Sequence, residues 1–407
     1  MLPENRPKVA FYTFGCKVNL FETDQLKKSL TSVEIVENDA DIYVVNGCTV
    51  TAATDRQVRN MIRRFSRKGR VFVTGCYARK SDPALEQIDN VEFFKNIEDV
   101  ANYFGNNFVY DAAFSRSRPF IKIQSGCDQF CTYCIIPYVR GPLKSVPLKK
   151  IETLLKKIES DGFNEVVLTG IHIGKYGYDL NTDNSLADVV EVAYKSVGRV
   201  RLGSLESPEI DERLFEMAKD GKILPHWHIP LQSGSNSVLK RMNRPYTAEG
   251  FAKAVERVTK SYDSHPAIGT DIIAGFPGET EEEFLETVEF VRSMPFTYGH
   301  VFPFSPREGT KAWDMEKNDP VSPPVKKERA GMLRQIFEEK KQNFIKTLVG
   351  TFTQVVVEEK NSDGLWTSTS SNFQTVMLKG DLKSGELVTV RLELTDSGNL
   401  EGNPVAD

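Results

Sequence analysis

The sequence predicts a three-part α/β protein. It should have an N-terminal open parallel α/β sheet domain, a central partial (βα)6 barrel and a small C-terminal all-β barrel. Three observations point there. Short apolar, β-branched runs alternate with helical patterns over 8–112 and again over 118–305, and such alternation builds parallel sheets. Polar and glycine-rich motifs fall at the ends of those runs, the edge where open sheets and parallel barrels bind ligands. The end of the chain then switches to β-rich runs separated by turn residues. A chain of 407 residues is also too long for one core. The boundaries are set at 1–112, 113–345 and 346–407.

In the first segment the strand-like runs are VAFYTF (9–14), DIYVVN (41–46) and RVFVTG (70–75). Asn19 with Glu22 three residues on predicts a helix start. The three runs end in FGC, NGC and TGC, which places Cys16, Cys48 and Cys76 on one edge of one sheet. A glycine before each cysteine permits a tight turn and close backbone approach. The reading is a shared site; the alternative is three inert cysteines packed as small hydrophobes.

The second segment gives six runs: FIKIQ (120–124), EVVLTG (165–170), VRLGSL (200–205), HWHIPL (226–231), IGTDIIAG (268–275) and HVFPF (300–304). Helical patterns such as 147–160 and 280–294 separate them, and FPGET predicts a turn into an acidic helix start. A charged helix over 321–347 leads to the tail, where VVVEE, FQTVML and LVTVRLEL predict strands.

The formal net charge of −4 excludes a global basic field, so a nucleic-acid surface must be local. No window approaches the apolar length of a membrane span, and the N-terminal stretch has no secretory pattern. The expectation is a cytoplasmic protein whose six cysteines stay reduced and serve as metal or cluster ligands rather than disulfides.

The stretch SGCDQFCTYCIIP (125–137) carries Cys127, Cys131 and Cys134 at C-x3-C-x2-C. Three thiolates at this spacing can hold three corners of a cubane iron–sulfur cluster, leaving one iron open to a ligand. The rivals are a Cys3His zinc site, for which His172 is the candidate histidine, and three packed structural cysteines.

CDQFCTYC at the end of the first strand of a six-strand βα barrel resembles the radical S-adenosylmethionine (SAM) signature. In that superfamily the open iron chelates SAM, and reductive cleavage yields a 5′-deoxyadenosyl radical. With the sheet bearing Cys16, Cys48 and Cys76 and the β tail, nearly the whole chain resembles the methylthiotransferases. The blocks at 12–26, 168–177, 228–247, 269–284 and 300–310 carry the same resemblance. It implies two 4Fe–4S clusters held by the six cysteines, with Cys127, Cys131 and Cys134 at the catalytic centre. FGCKVNLFET is most similar to the subgroup that adds a methylthio group to C2 of N6-threonylcarbamoyladenosine beside the anticodon of tRNA. Related subgroups act on isopentenyladenosine tRNA or on a ribosomal-protein aspartate, and both stay open here. A tRNA anticodon stem-loop, a flavodoxin- or ferredoxin-type electron donor and a monomeric state are further implications.

The resemblance also assigns roles. Tyr133, Thr169, Gly170, Ser204, Glu206, Gln232 and Phe304 would contact SAM, and Arg307 would meet substrate charge. Ser207 before Pro208 departs from the family pattern. Thr169 and Gln232 also read as satisfied turn groups, Asp271 reads equally well as a hydrogen-bonded barrel group or a catalytic one, and the alternative for Tyr133, that of a loop aromatic, is the weaker reading. Arg56, Arg59, Arg63 and Arg67 recur at helical spacing opposite Val58, Met61, Ile62 and Phe65, a stripe suited to an RNA backbone or simply to solvent. The tail from 345 to 407 has five basic and nine acidic residues, a departure for an RNA-binding module. Phe373 and Trp366 could still stack on bases. Two other classes compete: a two-cluster electron carrier, disfavoured by the missing fourth ligand at both sites, and a zinc-dependent RNA-binding protein.

Overall fold

The computed structural model of the chain describes residues 6–80, 82–111, 116–395 and 398–405. The expected boundary at 112/113, residues 1–5 of the N-terminal stretch and the tail acids Asp396 and Asp407 lie outside the described residues. The chain divides into two compact units. One comprises Met1–Ser115, Ser125–Lys144 and Ser305–Trp313; the other comprises Arg116–Gln124, Ser145–Phe304 and Asp314–Asp407.

The first unit is built on a parallel sheet of β1 (Lys8–Thr13), β2 (Glu34–Ile35), β3 (Ile42–Gly47), β4 (Arg70–Gly75) and β5 (Val91–Phe93), in the order β2-β1-β3-β4-β5. Strand period splits its apolar residues between two faces. Val45, Val71 and Val73 join Val58, Ile62 and Phe65 of helix Ala52–Phe65. Val9, Val44 and Phe72 join Leu26 and Val100 from helices Lys17–Ser29 and Ile97–Tyr103 on the other. Burying each such side chain contributes roughly 1.5–3 kcal/mol. β3, central and covered on both sides, is buried along its length.

One helix start differs from expectation. Helix Lys17–Ser29 begins after Cys16, not at Asn19. Asn19 and Glu22 are buried inside it. Asn19 Nδ2 donates to the Phe14 carbonyl at 2.9 Å, and Asn46 Nδ2 donates to the Asn19 carbonyl at 3.0 Å. The Asn-x-x-Glu pattern therefore serves tertiary contacts, not a cap. Helix Ala52–Phe65 is capped by Thr51, whose hydroxyl accepts from Thr54 N. Arg56 and Arg63 are exposed on it, and Arg67 lies in the turn beyond its end.

The second unit holds six parallel strands: β6 (Phe120–Lys122), β9 (Val166–Thr169), β10 (Val200–Leu202), β11 (His226–His228), β12 (Ala267–Ala274) and β13 (Tyr298–Pro303). Two-residue strands β7 (Gln124–Ser125) and β8 (Lys144–Ser145) intervene in sequence. The pairing runs β6-β9-β10 and β11-β12-β13, and a parallel bridge from Ser204 to His228 links the two sets. This is the partial six-strand barrel the sequence predicts. Helix Glu281–Ser293 opens with a capping box of Thr280 and Glu283, as FPGET implies.

The tail forms a closed barrel from β14 (Phe352–Lys360), β15 (Trp366–Ser370), β16 (Thr375–Leu378), β17 (Leu387–Leu394) and β18 (Leu400–Pro404), ordered β14-β15-β16-β18-β17. Its core of Val355, Val357, Val376, Leu378, Val390 and Leu392 continues into Phe344, Ile345 and Leu348 of helix Pro323–Leu348. A buried charge cluster ties it to the larger barrel. Glu165 accepts from Arg201 Nε at 2.8 Å and Arg199 Nη2 at 2.9 Å, while Arg201 donates to the Ser370 and Ser371 carbonyls at 3.0 Å. Burial alone would push the Glu165 carboxyl up, but Arg201, Arg199 and Arg118 outweigh it and hold it below its ordinary value. Phe373 stacks on His226 at 4.2 Å with Arg201 above its ring. Phe373, half-buried, thus already stacks within the protein. Trp366 packs against the tail core. Among the described residues no helix is long and apolar enough to cross a membrane.

Candidate active site

β1, β3 and β4 are neighbours, and Cys16, Cys48 and Cys76 follow their carboxyl ends. The approach of the loops is close. A Cβ at Gly15, where φ is +104°, would lie 2.5 Å from Cys48 Cβ. One at Gly75, where φ is +80°, would lie 2.2 Å from Asn46 Oδ1. Only glycine meets both demands. Cys16 is exposed; Cys48 and Cys76 are buried. Burial pushes the Cys48 thiol up to about 12, and the neighbouring Cys76 and Cys16 add to that rise. Burial raises Cys76 too, against the pull of Arg140. Three thiols, two of them buried with their ionisation suppressed, are thus gathered where a soft cation would reverse the balance, a donor set that fits a thiolate-ligated metal centre.

Arg140 completes this group, and nothing in the sequence reading singled it out. Its Nε donates to Cys76 Sγ at 3.0 Å, its Nη1 to Glu22 Oε1 at 2.6 Å and its Nη2 to Asn19 Oδ1. Burial works against its charge, but Glu22 and Cys76 outweigh that and hold its proton firmly. The only sequence signal was its place before Gly141, whose φ of +74° ends helix Ile136–Arg140.

That helix follows the second cysteine group, which lies in the same compact unit. Gly126, with φ of +76°, precedes Cys127, and a Cβ there would lie 1.8 Å from the Pro142 carbonyl oxygen. Cys127 N donates to the Gly141 carbonyl at 3.1 Å, Gln129 N to Cys127 Sγ at 3.5 Å and Cys134 N to the Cys131 carbonyl at 3.0 Å. Ala312 N donates to the Thr132 carbonyl at 2.8 Å. Cys127, Cys134 and Tyr133 are half-buried, and Cys131 is buried. His172, the histidine a Cys3His zinc site would need, is buried with its Nε2 2.5 Å from Glu209 Oε1.

In the second unit, Thr169 and Gly170 close β9, and a Cβ on Gly170 would lie 2.8 Å from the Gln124 carbonyl oxygen. Ser204 is exposed after β10; Glu206 accepts from Arg244 Nη2. Burial nevertheless pushes the Glu206 carboxyl up. Gln232 sits at φ +70° after β11, with its N–H on the Asp271 carbonyl at 2.8 Å. Phe304 is buried against Phe276 and Lys326. In the first unit, Arg307 is buried and donates through Nη2 to Asp55 Oδ2 at 2.6 Å, while its Nη1 has no hydrogen-bond partner among the described residues. Arg59 Nη1 lies 3.9 Å from Asp82, leaving Arg56, Arg63 and Arg67 as the exposed part of the basic stripe. Asp271 is half-buried between His228 and His300, a grouping the sequence reading did not assemble.

A partial parallel barrel whose first strand leads into a three-cysteine loop defines a radical SAM enzyme. Residues 121–291 match the Radical SAM superfamily, and residues 8–94 match Uncharacterized protein family UPF0004. The chain is 36% identical over 417 residues to a protein of Aquifex aeolicus named threonylcarbamoyladenosine tRNA methylthiotransferase MtaB, covering 94% of this chain and 99% of that one. A Bacillus subtilis protein of the same name is 36% identical, with 94% and 93% covered. A Fusobacterium nucleatum protein named tRNA-2-methylthio-N(6)-dimethylallyladenosine synthase is 32% identical, with 98% and 100% covered. Among solved structures, the radical SAM methyltransferase TsrM of Kitasatospora setae shares the fold at a TM-score of 0.55 and 12% identity, covering 74% of this chain and 75% of that one. The chain belongs to the radical SAM methylthiotransferase family. Membership implies SAM and a 4Fe–4S cluster as cofactors.

Proposed function

We propose that this protein adds a methylthio group to C2 of N6-threonylcarbamoyladenosine beside the anticodon of tRNA, with two 4Fe–4S clusters, as a monomer in the cytoplasm. The observation that carries the two-cluster reading is the gathering of both cysteine triads in one compact unit. The relatives from Aquifex aeolicus and Bacillus subtilis carry the substrate reading through their names. The Fusobacterium nucleatum relative supports a second reading, dimethylallyladenosine tRNA.

Cys127, Cys131 and Cys134 would hold one cluster and Cys16, Cys48 and Cys76 the other. When bound, the first group supplies one-electron cleavage of SAM and the second carries the sulfur to be inserted. The chain's own residues bind and shape. Arg140 orients Cys76 and offsets its negative charge. Gly15 and Gly126 let the cysteine loops close up. Tyr133, Thr169, Gly170, Ser204, Glu206, Gln232 and Phe304 are the candidates to hold SAM. Arg56 and Arg63 offer phosphate contacts, and an electron donor of flavodoxin or ferredoxin type would supply reducing equivalents.

Nucleoside mass spectrometry tests the reading. The intact chain, and a variant with Cys127, Cys131 and Cys134 changed to Ala, are expressed in a host lacking its own threonylcarbamoyladenosine methylthiotransferase. The modified nucleoside should gain a methylthio group with the intact chain alone. A gain on dimethylallyladenosine instead selects the second reading.

A further inference from the structure

β13 shows two different faces. A Cβ at Gly299 would lie 2.3 Å from Phe337 of helix Pro323–Leu348, and Val301 is buried. Alternation therefore turns Tyr298, His300 and Phe302 to the opposite face, the barrel interior. Register places Asp271 beside His300, and Gly269 beside both Tyr298 and His228. A Cβ at Gly269 would lie 2.0 Å from the Tyr298 ring, so that ring lies across the glycine.

These inner residues form one hydrogen-bonded series. His226 Nε2 lies 2.8 Å from Tyr298 Oη, which lies 3.2 Å from His228 Nδ1. His228 Nε2 lies 3.1 Å from Asp271 Oδ2, and His300 Nδ1 lies 3.1 Å from Asp271 Oδ1. Burial would raise the Asp271 carboxyl, but the bonds from His228 and His300 outweigh it and hold it well below the carboxylate range. An ionised carboxylate only accepts, so His300 Nδ1 carries the proton and donates. Its Nε2 is left to face whatever enters. Exposure rises along the series. The His228 side chain is 11% exposed, Asp271 24% and His300 58%, with Phe302 at 43% beyond. The inner end is closed by packing of His226 against Phe373. Half-exposed groups on an inward face, with one imidazole locked by a carboxylate behind it, make a built and open recognition site.

We infer that His300 binds the polar N6 substituent of the substrate adenosine through Nε2, with Asp271 as its positioning residue. This rests on the substrate reading above. The threonylcarbamoyl group offers a carboxylate, a hydroxyl and N–H groups to an imidazole. A dimethylallyl group offers none of these, and a site built to hydrogen-bond discriminates strongly against an analogue lacking the group.

The test uses the cluster-loaded enzyme and two anticodon stem-loops, one bearing N6-threonylcarbamoyladenosine and one plain adenosine. Wild-type protein should bind the modified loop more tightly. His300→Leu should lose about tenfold or more of that preference, with KM for the modified RNA rising more than kcat falls. His300→Gln should keep part of it, and Asp271→Asn should lose part. Unchanged melting and iron content show that the variants fold. A preference that survives His300→Leu overturns the inference while leaving the substrate reading intact. No preference in the wild type overturns the substrate reading, and the inference with it. A stoichiometric divalent metal that disappears on His300→Leu would overturn it in favour of a metal site.

Discussion

The two cysteine triads are assembled by opposite routes. Cys127, Cys131 and Cys134 come from one short loop, whose spacing alone brings them together. Cys16, Cys48 and Cys76 come from three adjacent strand ends, and only the parallel sheet assembles them. The loop triad is shaped by local backbone bonds from Cys127 N and Cys134 N. The strand triad is shaped by tertiary contacts: Gly15 against Cys48, and Arg140 on Cys76, Glu22 and Asn19. The lesson is that the strand triad should fail when the fold is disturbed, whereas the loop triad should fail when its own residues are changed.

The largest expected effect comes from Arg140→Met. It removes a buried cation 2.6 Å from the buried Glu22 carboxylate and should cost about 3–5 kcal/mol by denaturant unfolding. Arg140→Lys should restore part of that. If Arg140→Met melts like wild type, the strand triad does not depend on this arginine. Glycine substitutions sharpen the comparison at the next scale. Gly15→Ala and Gly126→Ala each force a side chain onto a left-handed residue, at roughly 1–3 kcal/mol for the backbone alone. Gly126→Ala should be the more severe, because its Cβ meets the Pro142 carbonyl oxygen at 1.8 Å rather than a side chain.

A smaller effect separates the thiols within the strand triad. In cluster-free, reduced protein at about pH 8, Cys16 should alkylate ahead of Cys48 and Cys76, since Cys16 is exposed and the other two are buried with their ionisation suppressed. Mass spectrometry of timed samples reads the order, and reversal would place the buried side of the triad wrongly. The same shift has a sign. Burial raises the Cys48 pKa in the folded state, so its contribution to stability declines as pH rises from the ordinary thiol value towards about 12. Cluster-free protein should therefore melt lower at about pH 10 than at about pH 8. The smallest effect is on RNA binding. Changing Arg56 and Arg63 to Gln should flatten the salt dependence by roughly 0.7–0.9 for each phosphate that is no longer neutralised.

Much of this organisation was legible because β-branched runs and strand-end glycines are local signals. β1, β3 and β4 fall within about a residue of the runs at 9–14, 41–46 and 70–75, and all six barrel strands coincide with apolar runs in the sequence. β2 and β5, two and three residues long, carry too little pattern to be seen. Asn19 and Glu22 imitate a helix cap because tertiary bonding to Phe14, Asn46 and Arg140 uses the same polar groups. The stacking of Phe373 on His226 was not legible either, because nothing local announces that partner. Arg140 and His300 were missed for one physical reason: each acts through partners far away in sequence. Glu22 is 118 residues from Arg140, and Asp271 is 29 from His300.

The most direct measurement is iron and sulfide content after anaerobic reconstitution of three proteins. They are wild type, a Cys16/Cys48/Cys76→Ala variant and a Cys127/Cys131/Cys134→Ala variant. Two four-iron clusters predict about eight irons per chain in the wild type and about four in each variant. SAM should perturb the cluster spectrum only where the loop triad is intact. About four irons in the wild type, all absent once the loop triad is removed, would contradict the account by leaving the strand triad without a cluster.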